Sequence, residues 1–562
     1  MNAPHPAPAA SPLTRKRPAL LIALPAIGLV WLLLAVHSLS VGGVTWDELF
    51  DFEGVNGAFW HGINWLKGAR PDLSSITFDL EWYGNATRWP TYLLWRLLMS
   101  EPWERITSLS RAQIVLGSSY VALNHLNAMV FALLGIGLTG VLGTRLGGRR
   151  VGLLAAGLLL LLPAWLGHGW INSKDIPMAA SYLLYTLGST LLLRGDRGGG
   201  PLRVVGIGLM TGSRVSSLAF IAIGEAVLSV WLGRQAPRRW LGSLGGGLLM
   251  GFLLTPQAWG DPFGYPQQAI HFISERQALG TPLQTLHYLA TNLFDLLPSP
   301  QLLGLLLLLI SLLRPSSRMG QGSGEARPSA AIPWLLPTLL QLLIPPLLLI
   351  ATGRSIYNEL RHLLMIQPPL CLLSALGYGR ALAMLTHPAA VRLAAAGGPG
   401  AGLRLLKPLL RGLLLLAAAG SLVLVLELLL LSPYQYTYRS DLARLLEGGR
   451  GAPLRIDYWG FSNRETFSRC LKRAPCEARL AALPLQVDGH SFNPELIEAI
   501  ATLLRPSPPP SAEGRLLITT DPAGEARLQT LAATQRQTLL PWPRQGTLSA
   551  IALDPALPGP TP

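Results

Sequence analysis

The sequence predicts an all-α polytopic membrane protein, and three observations support this prediction. Only 13% of the residues are charged, whereas a soluble domain carries about a quarter. Half of the residues are hydrophobic, and several leucine-rich runs approach the length of roughly 20 residues that crosses a bilayer core. These runs are continuous, which indicates helices, because only helices and closed barrels satisfy backbone polar groups in lipid.

The basic residues predict the topology. A net charge of +15 could indicate nucleic acid, but the arginines and lysines fall in short clusters between apolar runs, so no nucleic-acid partner is predicted. Cytoplasmic loops carry such clusters, which sets the N-terminus inside and gives about eleven spans, with the C-terminus outside. The apolar stretch 203–232 has cytoplasmic-type flanks, Arg203 and Arg234, and is therefore predicted to form a hairpin broken near Gly212-Ser213-Arg214. Arg214 would then lie near the outer face or in a polar cavity.

Composition divides the chain into three parts. Residues 1–17 form a cytoplasmic tail, and 18–432 form the membrane domain with external loops at 41–120 and 257–300. The first apolar run follows Arg15-Lys16-Arg17 like a signal peptide, but it is long and lacks a convincing cleavage site, so a retained anchor is expected. Residues 433–562 are predicted to be a small external α/β domain with a loose tail after about 540. Cys470 and Cys476 lie in this domain. They can either form a disulfide or remain two free thiols, and the sequence does not decide between these alternatives.

The first candidate segment is Thr45-Trp46-Asp47-Glu48, directly after the first span. Two adjacent carboxylates at a membrane surface can act as a general base or hold a cation. The same residues also suit the start of a helix, with Thr45 as the cap and the acidic side chains in the first turn. Both interpretations can hold together.

The second segment, between spans 3 and 4, is His168-Gly169-Trp170-Ile171-Asn172-Ser173-Lys174-Asp175-Ile176-Pro177. Asp175 can cap the following helix, and Pro177 is tolerated in a first turn. Helix capping leaves Lys174, Asn172 and His168 at the same edge unexplained. Because lysine is a mobile point charge, it suits a phosphate group.

The third segment is Tyr357-Asn358-Glu359-Leu360-Arg361-His362, which leads into span 10 from outside. Basic residues are disfavoured on that side of a membrane, so Arg361 and His362 indicate a function. Arginine offers two parallel donors to phosphate oxygens, and ionisable groups at a membrane edge are functional candidates by default.

The fourth segment is Ser432-Pro433-Tyr434-Gln435-Tyr436, followed by Asp457-Tyr458-Trp459-Gly460. Aromatic residues here fit either an interfacial belt or stacking against a sugar. Glu225 and Glu427 lie within apolar segments, where a partner on a neighbouring helix and a functional role are both open.

These segments, in this order and together with Trp259-Gly260-Asp261-Pro262, resemble the GT-C glycosyltransferases. The resemblance is to bacterial relatives of the dolichyl-phosphate-mannose protein mannosyltransferases, glycosyltransferase family 39, and it covers roughly residues 18–470. Ser173 departs from the pattern, because relatives often have proline at that position.

The resemblance implies a GT-C fold and an enzyme that moves a sugar from a polyprenyl-phosphate donor to a glycan, lipid or protein acceptor, usually with inversion. It implies the bacterial inner membrane and reaction on its periplasmic face. No cofactor is certain, and a divalent metal stays open. Asp47 would be the base, and Glu48 would orient it, bind the acceptor or hold a metal. The donor phosphate would be bound by Lys174, Arg361 and His362, and the substrate site would be lined by His168, Asn172, Asp175 and Tyr357.

A multispan transporter or lipid flippase of cell-envelope glycan assembly is the alternative from another class. Transporters place their sites near the bilayer midplane, whereas the polar groups here cluster at one face. A non-catalytic assembly protein with this fold, and a lipid-A-type or polysaccharide-modifying transferase, are further alternatives.

Overall fold

The computed structural model is mostly helical. It describes residues 18–41, 43–45, 47–69, 73, 81–98, 119–276, 280–313, 332–353, 359–386 and 401–446, and four short strands between 485 and 554. The first helices are α1 (Pro18–Val41), α2 (Asp47–Leu66), α3 (Trp89–Leu98), α4 (Tyr120–Gly147), α5 (Arg149–Leu160), α6 (Pro163–Ile171), α7 (Asp175–Leu193), α8 (Gly199–Ser213) and α9 (Ser217–Gln235). They are followed by α10 (Pro237–Leu253), α11 (Gly264–Arg276), α12 (Pro282–Leu296), α13 (Ser299–Leu312), α14 (Ile332–Thr352), α15 (Gln367–Thr386), α16 (Ala401–Leu431) and α17 (Asp441–Leu446).

The chain is an integral membrane protein. Within the described residues, six helices are long and apolar enough to cross a bilayer, and counting each of two bent helix pairs as one span gives up to eight. One bent pair is α5 with α6, which meet at 64°. Helices α8 and α10 are shorter, at 15 and 17 residues, so the count of about eleven spans stays a prediction.

Helix α7 lies at the centre of the bundle. All of its residues are buried, and it packs against α4, α8 and α14. Glycines allow the close approach to α8, because a Cβ at Gly206 would lie 2.5 Å from the backbone nitrogen of Tyr185. Small residues commonly permit such contacts between membrane helices. The N-terminus of this rigid central helix carries the 172–175 loop, which therefore has a fixed position.

The break predicted near Gly212-Ser213-Arg214 is present, since α8 ends at Ser213 and α9 begins at Ser217. The segment around Gly84 packs directly on this turn. The backbone N–H of Ala86 donates to the carbonyl of Gly212 at 2.9 Å, and a Cβ at Gly84 would collide with the same carbonyl. The loop predicted to be external is thereby tied to the turn that carries Arg214.

Arg203 was predicted to belong to a basic cluster in a cytoplasmic loop, but it lies within α8 and is buried. Its guanidinium is fully buried and donates to both carboxylate oxygens of Glu225 at 2.8 Å. Ser189 and Ser243 accept from the same guanidinium at 2.7 and 3.0 Å, and the Tyr185 hydroxyl donates to Glu225 at 2.6 Å. Since the charge is paired bidentately, it can lie among helices. Glu225 therefore has its partner on a neighbouring helix.

The start of the predicted external domain packs on the membrane helices. Ser440 Oγ donates to the Phe294 carbonyl at 3.0 Å, and Asp441 accepts from the Ser299 N–H at 3.0 Å. Glu427 in α16 pairs with Arg444 in α17 at 2.6 Å. Residues 433–446 therefore belong structurally with the helical part.

Further along the chain, four strands form a mixed sheet of order β1-β2-β4-β3. Strand β2 runs parallel to β1 and antiparallel to β4, which also pairs with β3. The tail predicted to be loose after about 540 thus contains β4, paired on both sides. The short apolar run of β4 is consistent with a buried strand. Cys470 and Cys476 lie outside the described residues. The strands are β1 (Leu485–Val487), β2 (Arg515–Thr519), β3 (Arg536–Thr538) and β4 (Ala550–Asp554).

Candidate active site

Helix α2 presents acidic side chains at its N-terminus. The helix begins at Asp47, and the backbone N–H of Thr45 donates to Glu48 Oε2 at 3.0 Å. A helix start favours carboxylates because its unpaired N–H groups carry partial positive charge. Asp51 follows Asp47 by four residues, so the two side chains lie one turn apart on one face of the helix.

The loop before α7 is organised by Asn172. Its Oδ1 accepts from the backbone N–H groups of Lys174 and Asp175 at 3.1 and 2.8 Å, which is an Asx turn. Its amide group donates to Asp175 Oδ2 at 2.9 Å. Asp175 was expected to cap α7 but is instead its first residue, because the Asn172 side chain already accepts the free N–H groups there.

Asp47 meets cations from two distant parts of the chain. Arg361, in the 3₁₀-helix Glu359–Ile366 that leads into α15, donates to Asp47 Oδ2 at 2.6 Å. The ammonium of Lys174 lies 3.8 Å from Asp47 Oδ1. Asp47 keeps 18% of its side chain exposed, so this carboxylate lies where the site opens.

Asp51 is a site residue to which the sequence analysis gave no role. Its carboxylate is only 2% exposed and lies 2.7 Å from the Lys174 ammonium. Ser173 Oγ donates to it at 2.5 Å, and Arg88 donates to it at 3.2 Å. The spacing of four residues from Asp47 was the sequence signal that could have identified it.

Lys174 is held as a cation by these carboxylates. Burial would lower the pKa of Lys174, but the negative charges of Asp47 and Asp51 outweigh it and raise the pKa above its ordinary value. The site therefore presents a lysine that stays protonated at any physiological pH.

Asp175 pairs with Arg214, the arginine at the α8–α9 break. This contact meets the expectation that Arg214 needs a polar environment. The Asp175 side chain is 5% exposed, so it is closed off by its partners. His362 is half-buried and close enough to interact electrostatically with Asp175 and Arg361.

Two other residues predicted to line the substrate site, His168 and Asn172, are buried. The Asn172 amide lies 3.4 Å from His168 Nδ1, and the His168 ring lies 5.9 Å from the Tyr436 ring. Through these contacts, His168 and Asn172 support the 172–175 loop from the protein interior. Tyr357 and Trp46 lie outside the described residues.

The aromatic segment after α16 is buried beneath α6. Tyr434, Gln435 and Tyr436 are almost fully buried, and Trp170 Nε1 donates to Gln435 Oε1 at 3.0 Å. Sugar stacking by these two tyrosines is therefore wrong, because their rings pack against the protein. The block from Asp457 to Gly460 lies outside the described residues.

Glu48 points away from Asp47 and into the bundle. Its buried carboxyl group contacts Nε2 of His125 on α4. The contact with His125 joins the start of α2 to a membrane helix, while the Thr45 N–H holds the same carboxyl locally. The roles in orienting Asp47, binding an acceptor or holding a metal stay predictions. No group of three or more His, Cys, Asp or Glu side chains in the described part of the chain is arranged to hold a metal ion.

The burial of the Glu48 carboxyl group leads to a specific prediction for how the stability of the fold depends on pH. Burial raises the pKa of Glu48 above its ordinary value of 4.5, although His125 and the Thr45 N–H oppose the shift. The folded state then binds more protons than the unfolded state, so Glu48 stabilises the fold below pH 4.5 and loses that contribution as the pH rises through its raised pKa. Melting temperatures measured against pH should fall less steeply for Glu48→Gln than for wild type. An equal or steeper fall in the variant would contradict the assignment.

The net charge of the candidate site favours binding of an anion. Three carboxylates, Asp47, Asp51 and Asp175, face four cations, Lys174, Arg361, Arg88 and Arg214. Among these seven described side chains, one positive charge remains in excess, which a bound phosphate group would offset. The cations are fixed by hydrogen bonds before any ligand arrives, which favours electrostatic stabilisation of developing negative charge.

No protein-family model matches the chain, and no curated protein matches it. Among solved structures, ArnT from Cupriavidus metallidurans in the apo state is 14% identical, with 97% of this chain and 100% of that chain covered and a TM-score of 0.48. The same protein bound to undecaprenyl phosphate is 14% identical over 96% of this chain and 99% of that chain, with a TM-score of 0.45.

The archaeal oligosaccharyltransferase AglB from Archaeoglobus fulgidus, in complex with an inhibitory peptide and a dolichol-phosphate, is 12% identical. It is matched over 86% of this chain and 64% of its own, with a TM-score of 0.35. At such low identity, the likeness does not extend to a sugar or an acceptor.

Proposed function

We propose that this protein is a membrane glycosyltransferase that transfers a sugar from a polyprenyl-phosphate donor to an acceptor hydroxyl on the periplasmic face of a bacterial inner membrane. The observation that carries the proposal is the contact of Asp47 with Arg361 at 2.6 Å, between residues 314 positions apart in the chain, with Lys174 at 3.8 Å. A base and two phosphate-binding cations then share one site.

The reaction is a single displacement with inversion. The acceptor oxygen attacks the anomeric carbon while the bond from that carbon to the phosphate oxygen breaks, and the electron pair leaves with the phosphate. Asp47 takes the acceptor proton. Arg361 and Lys174 stabilise the negative charge that develops on the leaving phosphate, and Arg361 can do so with two parallel donors.

Asp47 is the carboxylate best suited to act as the base. It is 18% exposed, whereas Asp51 and Asp175 are 2% and 5% exposed and are closed off by their partners. A bound donor phosphate would also share Arg361 and Lys174 with Asp47. The charge on Asp47 would then be less compensated, which would make it a stronger base at the moment of reaction.

The lipid carrier suits a site at the ends of apolar helices. Lys174 precedes α7, and Arg361 starts an apolar segment that continues to Thr386. Helix α7 is buried within the bundle, so a polyprenyl tail would remain in the bilayer beside the segment 361–386 while its phosphate reaches the cations. The acceptor class stays open between glycan, lipid and protein.

The experiment that tests the function is sugar transfer by the purified protein in proteoliposomes. Polyprenyl phosphates carrying different radiolabelled sugars would be supplied with an extract of cell-envelope glycans, lipids and proteins. We expect at least one donor to give a labelled product. If every donor stays intact while labelled lipid crosses sealed vesicles, a flippase is supported and the enzyme proposal fails.

A further inference from the structure

Asp51 joins three separate segments of the chain at one buried carboxylate. Lys174 and Ser173 reach it from the loop before α7, at 2.7 and 2.5 Å. Arg88 reaches it from the segment before α3, at 3.2 Å. Asp51 itself lies on α2, one turn after Asp47. The proposed reaction assigns no role to Asp51.

Its burial separates Asp51 from direct chemistry. The carboxylate is 2% exposed and has a cation or hydroxyl donor on each oxygen. A group closed off in this way cannot take a proton from an incoming acceptor without losing its partners. Asp51 must therefore act through the residues that it holds.

Arg88 is fixed independently of Lys174. Its guanidinium also donates to the Gly84 carbonyl at 3.0 Å and to the Asp51 carbonyl at 3.4 Å. The neighbouring Asn85 amide donates to the Gly54 carbonyl of α2 at 3.1 Å, and Trp89 Nε1 donates to the Leu254 carbonyl at 2.8 Å. The Asp51–Arg88 pair is thus part of the packing that joins α2 to the end of α10.

The charges explain why two cations share one carboxylate. Asp51 and Arg88 cancel each other, so the ammonium of Lys174 keeps its positive charge for a ligand. Without Arg88, Lys174 and Asp51 would form a neutral pair with little attraction for a phosphate. Lysine is a flexible point charge, and a catalytic group must be held close to its productive geometry to lower a barrier.

We propose that Asp51 is a positioning residue that holds the Lys174 ammonium at the place of the donor phosphate, with Arg88 as its counter-charge. The inference rests on the proposed function, because it assigns Lys174 to a phosphate group. Ser173 secures the same loop through its hydroxyl, which proline could not do at this position.

The test is a double-mutant cycle on initial transfer rates with polyprenyl-phosphate sugar. Asp51→Asn keeps the shape and still accepts a hydrogen bond from Ser173, but it releases the ammonium. We expect kcat to fall by about 10- to 100-fold with a much smaller change in the donor KM. In a Lys174→Met background the same substitution should change kcat less than about twofold, since coupled residues are not additive.

The cycle has two controls. Glu225→Gln removes another buried carboxylate paired with an arginine, far from Lys174 in the helix packing, and its folded fraction should keep the wild-type kcat. Asp51→Asn can fail to fold because Arg88 is left unpaired. In that case the double variant Asp51→Asn/Arg88→Gln, which removes both charges, replaces Asp51→Asn in the cycle.

The inference is overturned if Asp51→Asn retains kcat within twofold of wild type, or if its effect multiplies with that of Lys174→Met. Failure of the proposed function looks different, because the wild-type protein would then transfer no sugar from any polyprenyl-phosphate donor.

Discussion

Asp47→Asn is expected to abolish sugar transfer while polyprenyl phosphate still binds. The amide cannot accept the acceptor proton, and general-base assistance typically contributes 10²–10⁴-fold to a rate. Arg361 and Lys174, at 2.6 and 3.8 Å, would lose the competing carboxylate, so phosphate should bind at least as tightly as to wild type. Single-turnover transfer and equilibrium binding of polyprenyl phosphate, measured on the same preparation, check both outcomes.

The chain offers a matched control for this substitution. Glu427 also pairs with an arginine at 2.6 Å and is 25% exposed, close to the exposure of Asp47, but it lies at the end of α16. Glu427→Gln should leave transfer unchanged. Wild-type transfer by Asp47→Asn would reject this residue as the base, and loss of phosphate binding in that variant would indicate a damaged site.

Arg361→Gln is expected to give the second large effect, lowering kcat/KM by roughly 10²–10³-fold, which is typical of losing one charge-stabilising donor. The affinity for polyprenyl phosphate should fall in parallel, in contrast to Asp47→Asn. Arg361→Lys should recover only part of the loss, because lysine keeps the charge without the two parallel donors. Transfer rates at several donor concentrations, with binding measured separately, distinguish these outcomes.

Arg444→Gln is the matched control, because Arg444 forms the equivalent pair with Glu427. It should retain full transfer. An Arg361→Gln variant that binds polyprenyl phosphate as tightly as wild type would show that Arg361 does not contact the phosphate.

The parts of the structure that were predictable are those that membrane physics determines locally. Apolar runs predicted the helices, and Gly212-Ser213-Arg214 marked the break inside the apolar stretch 203–232, although Arg203 is not the loop charge assumed at one of its flanks. Arg361 was singled out because a basic residue on the side predicted to be external is disfavoured, and Lys174 because helix capping does not explain it. Their common position beside Asp47 agrees with placing all three at one membrane face.

The parts that were not predictable depend on partners distant in the chain. Arg88 lies 37 residues from Asp51, and Ser173 lies 122 residues from it, so no local pattern connects them. From the sequence alone, Arg203 resembles a loop charge, because the positive-inside rule counts basic residues whether or not they are paired. Only the structure shows that Glu225 is its partner. The burial of the tyrosines after α16 and of the Glu48 carboxyl could not be predicted for the same reason, because only the packing of α6 and α4 shows that they face inward.

We expect one carboxylate and two cations, brought together from α2, the 172–175 loop and the start of the Arg361 segment, to break the bond between a sugar and a polyprenyl phosphate. The most direct measurement counts polyprenyl phosphate released against glycosidic bonds formed, for wild type and for Asp47→Asn at equal donor occupancy. The account predicts one phosphate released per bond formed in wild type, and neither product in the variant. Equal release by both proteins, or bond formation without release, would contradict it.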